Sequence, residues 1–228
     1  MSLTIAERLD AVRTRIALAE HAAGRTPRSV QLIAVSKTQP AAAISEAVAA
    51  GQRHFGENYL QEALAKQSEL VNVPDLVWHF IGPIQSNKTA AIATHFDWVH
   101  SVDRLKIAQR LSDQRPRELA PLNICLQVNV SDEASKSGVS LAELHALAAG
   151  VIELPGVCLR GLMAIPAPVE DSALQRAPFR ILRQALESLD LPGVDTLSMG
   201  MSDDLEAAIQ EGATFVRIGT AVFGRRSA

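Results

Sequence analysis

Short apolar runs that predict strands alternate with segments that predict helices along almost the whole chain. The predicted strands occupy residues 32–37, 53–56, 76–81, 98–100, 123–130, 159–164, 196–199 and 214–218. Helical segments such as residues 41–50, 141–151 and 177–189 separate them, and an amphipathic helix with Leu9, Val12 and Ile16 comes first. Eight strands joined by helices predict an α/β fold, a single (β/α)8 barrel over residues 1–228. A doubly wound open sheet is the alternative, but no G-x-G-x-x-G sequence follows the first strand.

The composition excludes several classes of protein. With 47% hydrophobic and 21% charged residues, the chain is long and apolar enough to bury a large core. Its formal charge of −3 gives no positive field that would attract nucleic acid or an anionic membrane. No apolar run approaches transmembrane length, and Glu7, Arg8 and Asp10 interrupt the N-terminal pattern, so we expect a cytoplasmic chain without a signal peptide. Cys125 and Cys158 lie in apolar runs without zinc-ligand spacing, so we expect no metal.

Lys37 stands where the first predicted strand ends. In parallel α/β folds, ligands bind at the carboxyl ends of the strands. A lysine in a partly apolar pocket loses some of its preference for the charged form, and its neutral amine can form a Schiff base with a carbonyl. Considered alone, the stretch favours an ordinary solvent-exposed lysine. The other strand ends therefore decide whether Lys37 has a chemical role.

The ends of the last two predicted strands have the residue types of a phosphate site. Ser202 lies where a helix is expected to begin, and Gly219 and Thr220 follow the eighth strand. Hydroxyl groups and backbone N–H groups in these two loops often bind phosphate in barrels. Asp203 and Asp204 would repel a phosphate, so they must point away from it if the interpretation holds.

Arg217 lies inside an apolar strand between Val216 and Ile218. A buried arginine needs a partner, which is either a carboxylate of another strand or a ring nitrogen of a ligand. Arginine only donates hydrogen bonds, so it would keep a pyridine nitrogen unprotonated. A Schiff-base lysine, a phosphate site and a partner for a pyridine nitrogen together indicate pyridoxal 5'-phosphate (PLP).

Several long motifs resemble those of the pyridoxal phosphate homeostasis protein family. They are FGENY at 55–59, HFIGPIQSNK at 79–88, GLMAIP at 161–166, SMGMSDD at 198–204 and VRIGTAVFG at 216–224. The resemblance implies a barrel like the N-terminal domain of alanine racemases and PLP held as a Schiff base on Lys37. It implies a protein that buffers or delivers PLP without robust catalysis, with PLP-dependent apoenzymes as transient partners. Because no second domain is predicted, one usual reason for dimerising is missing, and we expect a monomer. The family's cofactor contacts fall on Ser202, Gly219 and Thr220 at the phosphate, Arg217 at the pyridine nitrogen, and Asn58, His79 and Met199 along the pocket.

Two other functions would use the same loops. One is a PLP-dependent amino-acid racemase or decarboxylase, and the other is an aldolase that acts on a sugar phosphate through Lys37 without PLP. A racemase needs an acid–base group on each face of its substrate, and the chain has one tyrosine, Tyr59, and no predicted second domain to cover the site. Two further hypotheses are a second PLP contact at Lys136 and an ion pair between Glu57 and Arg217.

Overall fold

Eight parallel strands pair in sequence order, and the last strand pairs with the first, which closes a barrel. The computed structural model describes residues 3–131, 137–167, 169 and 171–224, so Lys136 lies outside the described residues. The strands are β1 (Gln31–Val35), β2 (His54–Glu57), β3 (Val77–Phe80), β4 (Trp98–Val102), β5 (Leu122–Gln127), β6 (Val157–Met163), β7 (Thr196–Ser198) and β8 (Phe215–Ile218). The predicted (β/α)8 barrel is confirmed.

Helices surround this barrel and connect its strands. They are α1 (Ile5–Ala22), α2 (Ala41–Ala49), α3 (Leu60–Glu69), α4 (Thr89–His95), α5 (Leu105–Asp113), α6 (Leu141–Ile152), α7 (Ser172–Leu189), α8 (Leu205–Gln210) and α9 (Thr220–Phe223), with a 3₁₀ turn at Ser86–Lys88. The extra helix α1 begins with a capping box, in which Thr4 and Glu7 satisfy each other's backbone N–H groups. Its apolar face, on which Leu9, Val12 and Ile16 are buried, packs against α2, α8 and α9.

Two helices begin at other residues than the sequence predicts. α7 begins at Ser172 instead of residue 177, because the carbonyl of Asp171 already accepts the N–H groups of Leu174 and Gln175. Pro178 therefore lies in the second turn and not in the first, at the cost of one intrahelical hydrogen bond. α8 begins at Leu205, so Ser202 is not its N-cap but part of the preceding turn.

The two faces of the barrel strands carry different side chains, since alternate residues of a strand point to opposite sides. Outward-facing residues such as Phe55, Val99 and Leu126 form one apolar core with the helices. Inside the barrel, His100 on β4 hydrogen-bonds Ser198 on β7 across the interior. Barrel interiors are usually filled with branched apolar side chains, so a polar interior needs a further explanation.

Candidate functional site

A cavity of about 500 Å³ opens at the carboxyl ends of the strands. It brings together six of the eight residues that the sequence and the family resemblance single out. These residues are Lys37, Asn58, Ser202, Arg217, Gly219 and Thr220. They come from the ends of β1, β2, β7 and β8 or from the loops that follow, which is where the topology of a parallel barrel collects its ligand-binding groups.

Residues of β2 and α3 hold the backbone on both sides of Lys37 in place. Lys37 lies two residues beyond the end of β1, and Thr38 adopts the left-handed conformation with φ of 64°. The hydroxyl of Ser36 donates to Oε1 of Glu57 at 2.6 Å, and the N–H of Thr38 donates to Oε1 of Glu62 at 2.5 Å. A non-glycine residue in this conformation is strained by about 1 kcal/mol or more, so the surrounding contacts must hold it in place.

A buried ion pair supports this backbone. Nζ of Lys66 donates to Oε1 of Glu57 at 2.8 Å and to Oε1 of Glu62 at 2.5 Å, and it also donates to the carbonyl of Ser36 at 2.7 Å. Burial raises the pKa of Glu57, while hydrogen bonds from Lys66 and Ser36 oppose the rise. Oε2 of Glu57 has no hydrogen-bond partner within the described chain. The partner of Glu57 is thus Lys66, and the hypothesis of a pair with Arg217 is wrong.

The loops after β7 and β8 form one end of the cavity. Gly219 and Thr220 stand at the start of α9, whose first N–H groups have no acceptor within the helix. A Cβ on Gly219 would lie 3.3 Å from the carbonyl oxygen of Val35, so the close approach of β8 to β1 favours glycine there. Ser202 also lines the cavity, although it does not cap α8.

The two acidic residues of the loop after β7, Asp203 and Asp204, have different surroundings. Oδ1 of Asp204 accepts the N–H of Met201 at 2.6 Å, so this carboxylate is turned into its own loop. Asp203 lies on the cavity wall and is exposed to solvent, which screens its charge. Arg15 of α1 brings positive charge to the same end: it pairs with Glu206 at 2.9 Å and donates to the carbonyl of Ser202 at 3.0 Å.

Arg217 forms the floor of the cavity and is 4% exposed. Nη1 donates to Oγ of Ser198 at 2.8 Å, and Nη2 donates to the carbonyl of Ala164 at 3.0 Å. Burial lowers the pKa of Arg217 to about 10, against an opposing effect of the Asp204 carboxylate. The guanidinium is therefore still charged at neutral pH, and it stands between the cavity and the polar interior of the barrel.

The remaining two predicted contacts lie below the cavity. His79 and Met199 are fully buried and do not line it. His79 instead sits in the barrel interior, where Nδ1 is 2.9 Å from Nε2 of His100 and Nε2 is 2.9 Å from Nδ1 of His54. Direct contact of His79 or Met199 with a cofactor stays a prediction.

Three residues at or near the cavity were missed in the sequence. Arg15 lies on the N-terminal helix, far in sequence from the loop that it contacts. Ser198 gives no signal beyond its place at a strand end. Lys66 had a detectable signal, because it lies four residues after Glu62 on a predicted helix, the spacing of an ion pair.

The described residues contain no group of three or more histidine, cysteine or acidic side chains that could hold a metal ion. Cys125 is fully buried, and burial raises the pKa of its thiol to about 12, so it is a poor nucleophile or metal ligand. Within residues 3–131, 137–167, 169 and 171–224, no helix is both long and apolar enough to cross a bilayer.

The donor groups of the cavity fit PLP. Lys37 supplies an amine, Arg217 supplies a buried cation, and Gly219 and Thr220 line the cavity at the start of α9, where backbone N–H groups can bind a phosphate. Oδ1 of Asn58 is buried at the cavity wall and has no hydrogen-bond partner among the described groups. Because a buried amide oxygen without a donor is costly, this atom favours a bound group that donates to it.

Comparison with known proteins agrees with this fit. Residues 8–227 match the family model described as alanine racemase, N-terminal domain, which defines the class of barrel. A protein of Pseudomonas aeruginosa named pyridoxal phosphate homeostasis protein is 68% identical over 223 residues, which cover 98% of this chain and 96% of that protein. The protein of the same name in Escherichia coli K12 is 56% identical over 226 residues, 97% of each chain. The chain belongs to the pyridoxal phosphate homeostasis protein family.

A solved structure extends the comparison to three dimensions. The structure of PipY of Synechococcus elongatus with PLP bound is 43% identical and has a TM-score of 0.83. The match covers 97% of this chain and 100% of PipY. The relatives from Pseudomonas aeruginosa and Escherichia coli are both named as homeostasis proteins and not as enzymes.

Proposed function

We propose that this chain binds PLP through a covalent link to Nζ of Lys37 and holds the cofactor for delivery to PLP-dependent apoenzymes. The observation that carries the proposal is the meeting of Lys37, Arg217 and the loop Gly219–Thr220 on one cavity of about 500 Å³. Support comes from relatives named for PLP homeostasis and from the PipY structure with PLP bound.

Each cavity residue has a role in this proposal. Lys37 forms the covalent link, Ser202, Gly219 and Thr220 bind the phosphate, and Arg217 donates toward the pyridine nitrogen. Asn58 accepts a hydrogen bond from the bound molecule through its orphaned Oδ1. When bound, PLP supplies an electrophilic carbonyl and an electron-withdrawing ring, and a donor-only arginine at the ring nitrogen weakens that withdrawal.

The side chains around the cavity favour a protein that holds the cofactor and not one that catalyses a reaction with it. Its titratable wall residues in the described chain are Arg15, Lys37, Asp203 and Arg217. None of these arginines is a good proton donor or acceptor at neutral pH, and Tyr59 is exposed and away from the wall. Apart from the solvent-exposed carboxylate of Asp203, these walls therefore hold no second acid–base group of the kind that racemisation requires opposite Lys37. We further propose that residues 1–228 act as one monomeric domain in the cytoplasm.

The test is the absorption spectrum of purified protein after incubation with PLP, before and after borohydride, followed by peptide mass mapping. We expect a visible band that reduction bleaches and a pyridoxyl mass on the peptide that contains Lys37. Lys37→Ala is expected to lose both signals with an unchanged circular dichroism spectrum. Lys106→Ala, which removes an exposed lysine of α5, is the matched control and is expected to keep both.

Three results would overturn parts of the proposal. A pyridoxyl mass at the same site in Lys37→Ala would refute the anchor. Many turnovers of α-hydrogen exchange with an added amino acid would refute the holding role and favour a racemase or decarboxylase. A wild-type protein that takes up no PLP, and from which borohydride traps a sugar phosphate on Lys37, would favour the aldolase.

A further inference from the structure

A row of hydrogen-bonded side chains runs through the barrel from the cavity floor to the opposite end. From Arg217, the row passes to Oγ of Ser198 at 2.8 Å, from there to Nδ1 of His100 at 2.7 Å, and from Nε2 of His100 to Nδ1 of His79 at 2.9 Å. It ends at His54, whose Nδ1 is 2.9 Å from Nε2 of His79. We call Ser198, His100, His79 and His54 the interior row.

The lower end of the interior row meets a groove at the amino end of the barrel. His54 lines this groove of about 650 Å³ together with Arg13 and Arg53. Both arginines already donate to backbone carbonyls at the end of α2 or just after it, Ala50 for Arg13 and Val48 for Arg53. The groove therefore gives His54 access to water, and its arginines stabilise a helix end.

Arg217 sets the direction of the hydrogen bonds. A guanidinium only donates, so Oγ of Ser198 must accept from Nη1. The hydroxyl hydrogen of Ser198 then points to Nδ1 of His100, its other neighbour in the row. If Nδ1 of His100 carried a hydrogen instead, this buried hydroxyl hydrogen would lose its acceptor, and an unsatisfied buried donor is costly.

The same direction of hydrogen-bond donation continues from His100 to His79 and His54. With Nδ1 as the acceptor, a neutral His100 carries its hydrogen on Nε2 and donates to His79, which in turn donates from Nε2 to His54. Burial lowers the pKa of His54, lowers that of His79 well below 6.5, and lowers that of His100 to about 3, so all three rings are neutral at pH 7. Each neutral imidazole has one donor and one acceptor, and this arrangement uses both in His100 and His79.

We propose that Ser198 and His100 are positioning residues, which hold the guanidinium of Arg217 at the cavity floor through a row whose hydrogen bonds all point away from it. The proposal rests on the proposed function in one respect, the PLP ring nitrogen as the group that Arg217 faces. The row orients and does not conduct, because the guanidinium keeps its protons at neutral pH and so cannot exchange them with Ser198. Without the row, the carbonyl of Ala164 would be the one hydrogen-bond partner left to the Arg217 side chain among the described residues.

The direction can be tested on protein purified free of PLP. Long-range ¹H–¹⁵N spectra at pH 7.5 distinguish the Nε2–H from the Nδ1–H form of each histidine. We expect His54, His79 and His100 all in the Nε2–H form, with His21, His95 and His145 as exposed reference signals. Single histidine variants assign the signals. An Nδ1–H form of His100 would overturn the proposal whether or not the protein binds PLP.

The positioning role is tested with four variants loaded with PLP. Ser198→Ala and His100→Phe are expected to shift the absorption maximum and its pH profile and to weaken PLP retention about tenfold, the effect of one hydrogen bond to a charged group. His100→Asn keeps an oxygen near the Nδ1 position and is expected to restore both within about twofold. Ser112→Ala removes a buried serine that hydrogen-bonds Gly156 away from the row and is expected to change neither.

The two proposals can fail separately. Unchanged spectrum, pH profile and retention in Ser198→Ala would refute the positioning role. A wild-type protein that takes up no PLP would refute the proposed function, and the histidine spectra of the PLP-free protein would still decide the direction of the row. If His100→Phe does not fold, Ser198→Ala, which removes one oxygen, decides the positioning role alone.

Discussion

At the scale of single residues, Lys66 is the cation of the buried ion pair behind the cavity. Its amine is buried and donates to Glu57, Glu62 and the carbonyl of Ser36. Lys66→Met would leave the Glu57 carboxylate buried without its cationic partner. Breaking a buried pair in this way costs about 3–5 kcal/mol, so we expect a loss of that size in the free energy of unfolding, measured by urea denaturation.

Two further variants make this prediction specific. Lys106→Met removes an exposed lysine and is expected to stay within about 0.5 kcal/mol of the wild type. Adding Glu57→Gln to Lys66→Met is expected to recover part of the loss, because a neutral amide costs less to bury than a carboxylate. A Lys66→Met protein as stable as the wild type would show that the pair is not needed.

Sequence position was enough to find part of the cavity but not its supports. Lys37, Gly219 and Thr220 are found because a parallel barrel brings all strand ends to one rim, so position along the chain predicts proximity in space. The interior row could not be found in this way. Its members stand on β2, β3, β4 and β7. The stagger of the strands decides which inward-facing residues meet across the barrel, and this stagger cannot be read from a single sequence.

At the scale of elements, β6 and β7 pack closely because of one glycine. A Cβ on Gly161 would lie 1.8 Å from the carbonyl oxygen of Thr196, a backbone atom that cannot move without shifting β7. We expect Gly161→Ala to lower the free energy of unfolding in urea by about 3 kcal/mol, the upper part of the range for overpacking. Since β7 carries Ser198, the variant is also expected to retain PLP less well than the wild type.

Gly150→Ala is the matched control for this element. The atoms nearest to a Cβ there would be side-chain carbons of Leu105, at 3.0 Å or more, and alanine favours the helix in which Gly150 lies. We expect a change within about 1 kcal/mol of the wild type. If Gly161→Ala is equally mild, the contact between β6 and β7 is more adaptable than the backbone distance indicates.

Element types were predictable from the sequence, whereas several ends were not. The strand predicted over 123–130 ends in the structure at Gln127; the N–H of Val128 still donates to the carbonyl of Met163 on β6, and Val128 forms an isolated bridge with Val139 of the following loop. The apolar pattern continues to residue 130 because Val128 is buried and Val130 is partly buried, so periodicity cannot show where the strand ends. In the same way, Pro178 led to a predicted helix start at residue 177. The helix begins earlier because the carbonyl of Asp171 already accepts helical hydrogen bonds.

At the scale of the whole molecule, the neutral interior histidines make stability depend on pH. His54, His79 and His100 have folded pKa values below 6.5, so between that pH and their folded values the unfolded chain binds more protons than the folded chain. Stability is thus full above about pH 7 and falls as pH decreases, by up to about 1.4 kcal/mol per unit for each histidine. Urea midpoints measured from pH 8 to 5.5 are expected to follow this fall.

Two buried carboxyl groups, those of Glu57 and Asp97, act in the opposite sense at lower pH. Burial raises the pKa of Glu57 and Asp97, so these groups favour the folded state below the unfolded carboxyl pKa, and that contribution is lost as pH rises. The histidine effect is therefore cleanest between pH 7 and 5.5. His100→Phe removes one of three interior histidines, and its loss of unfolding free energy per pH unit in this range is expected to be about one third smaller than in the wild type. An unchanged slope would mean that His100 takes up a proton as readily in the folded barrel as in the unfolded chain.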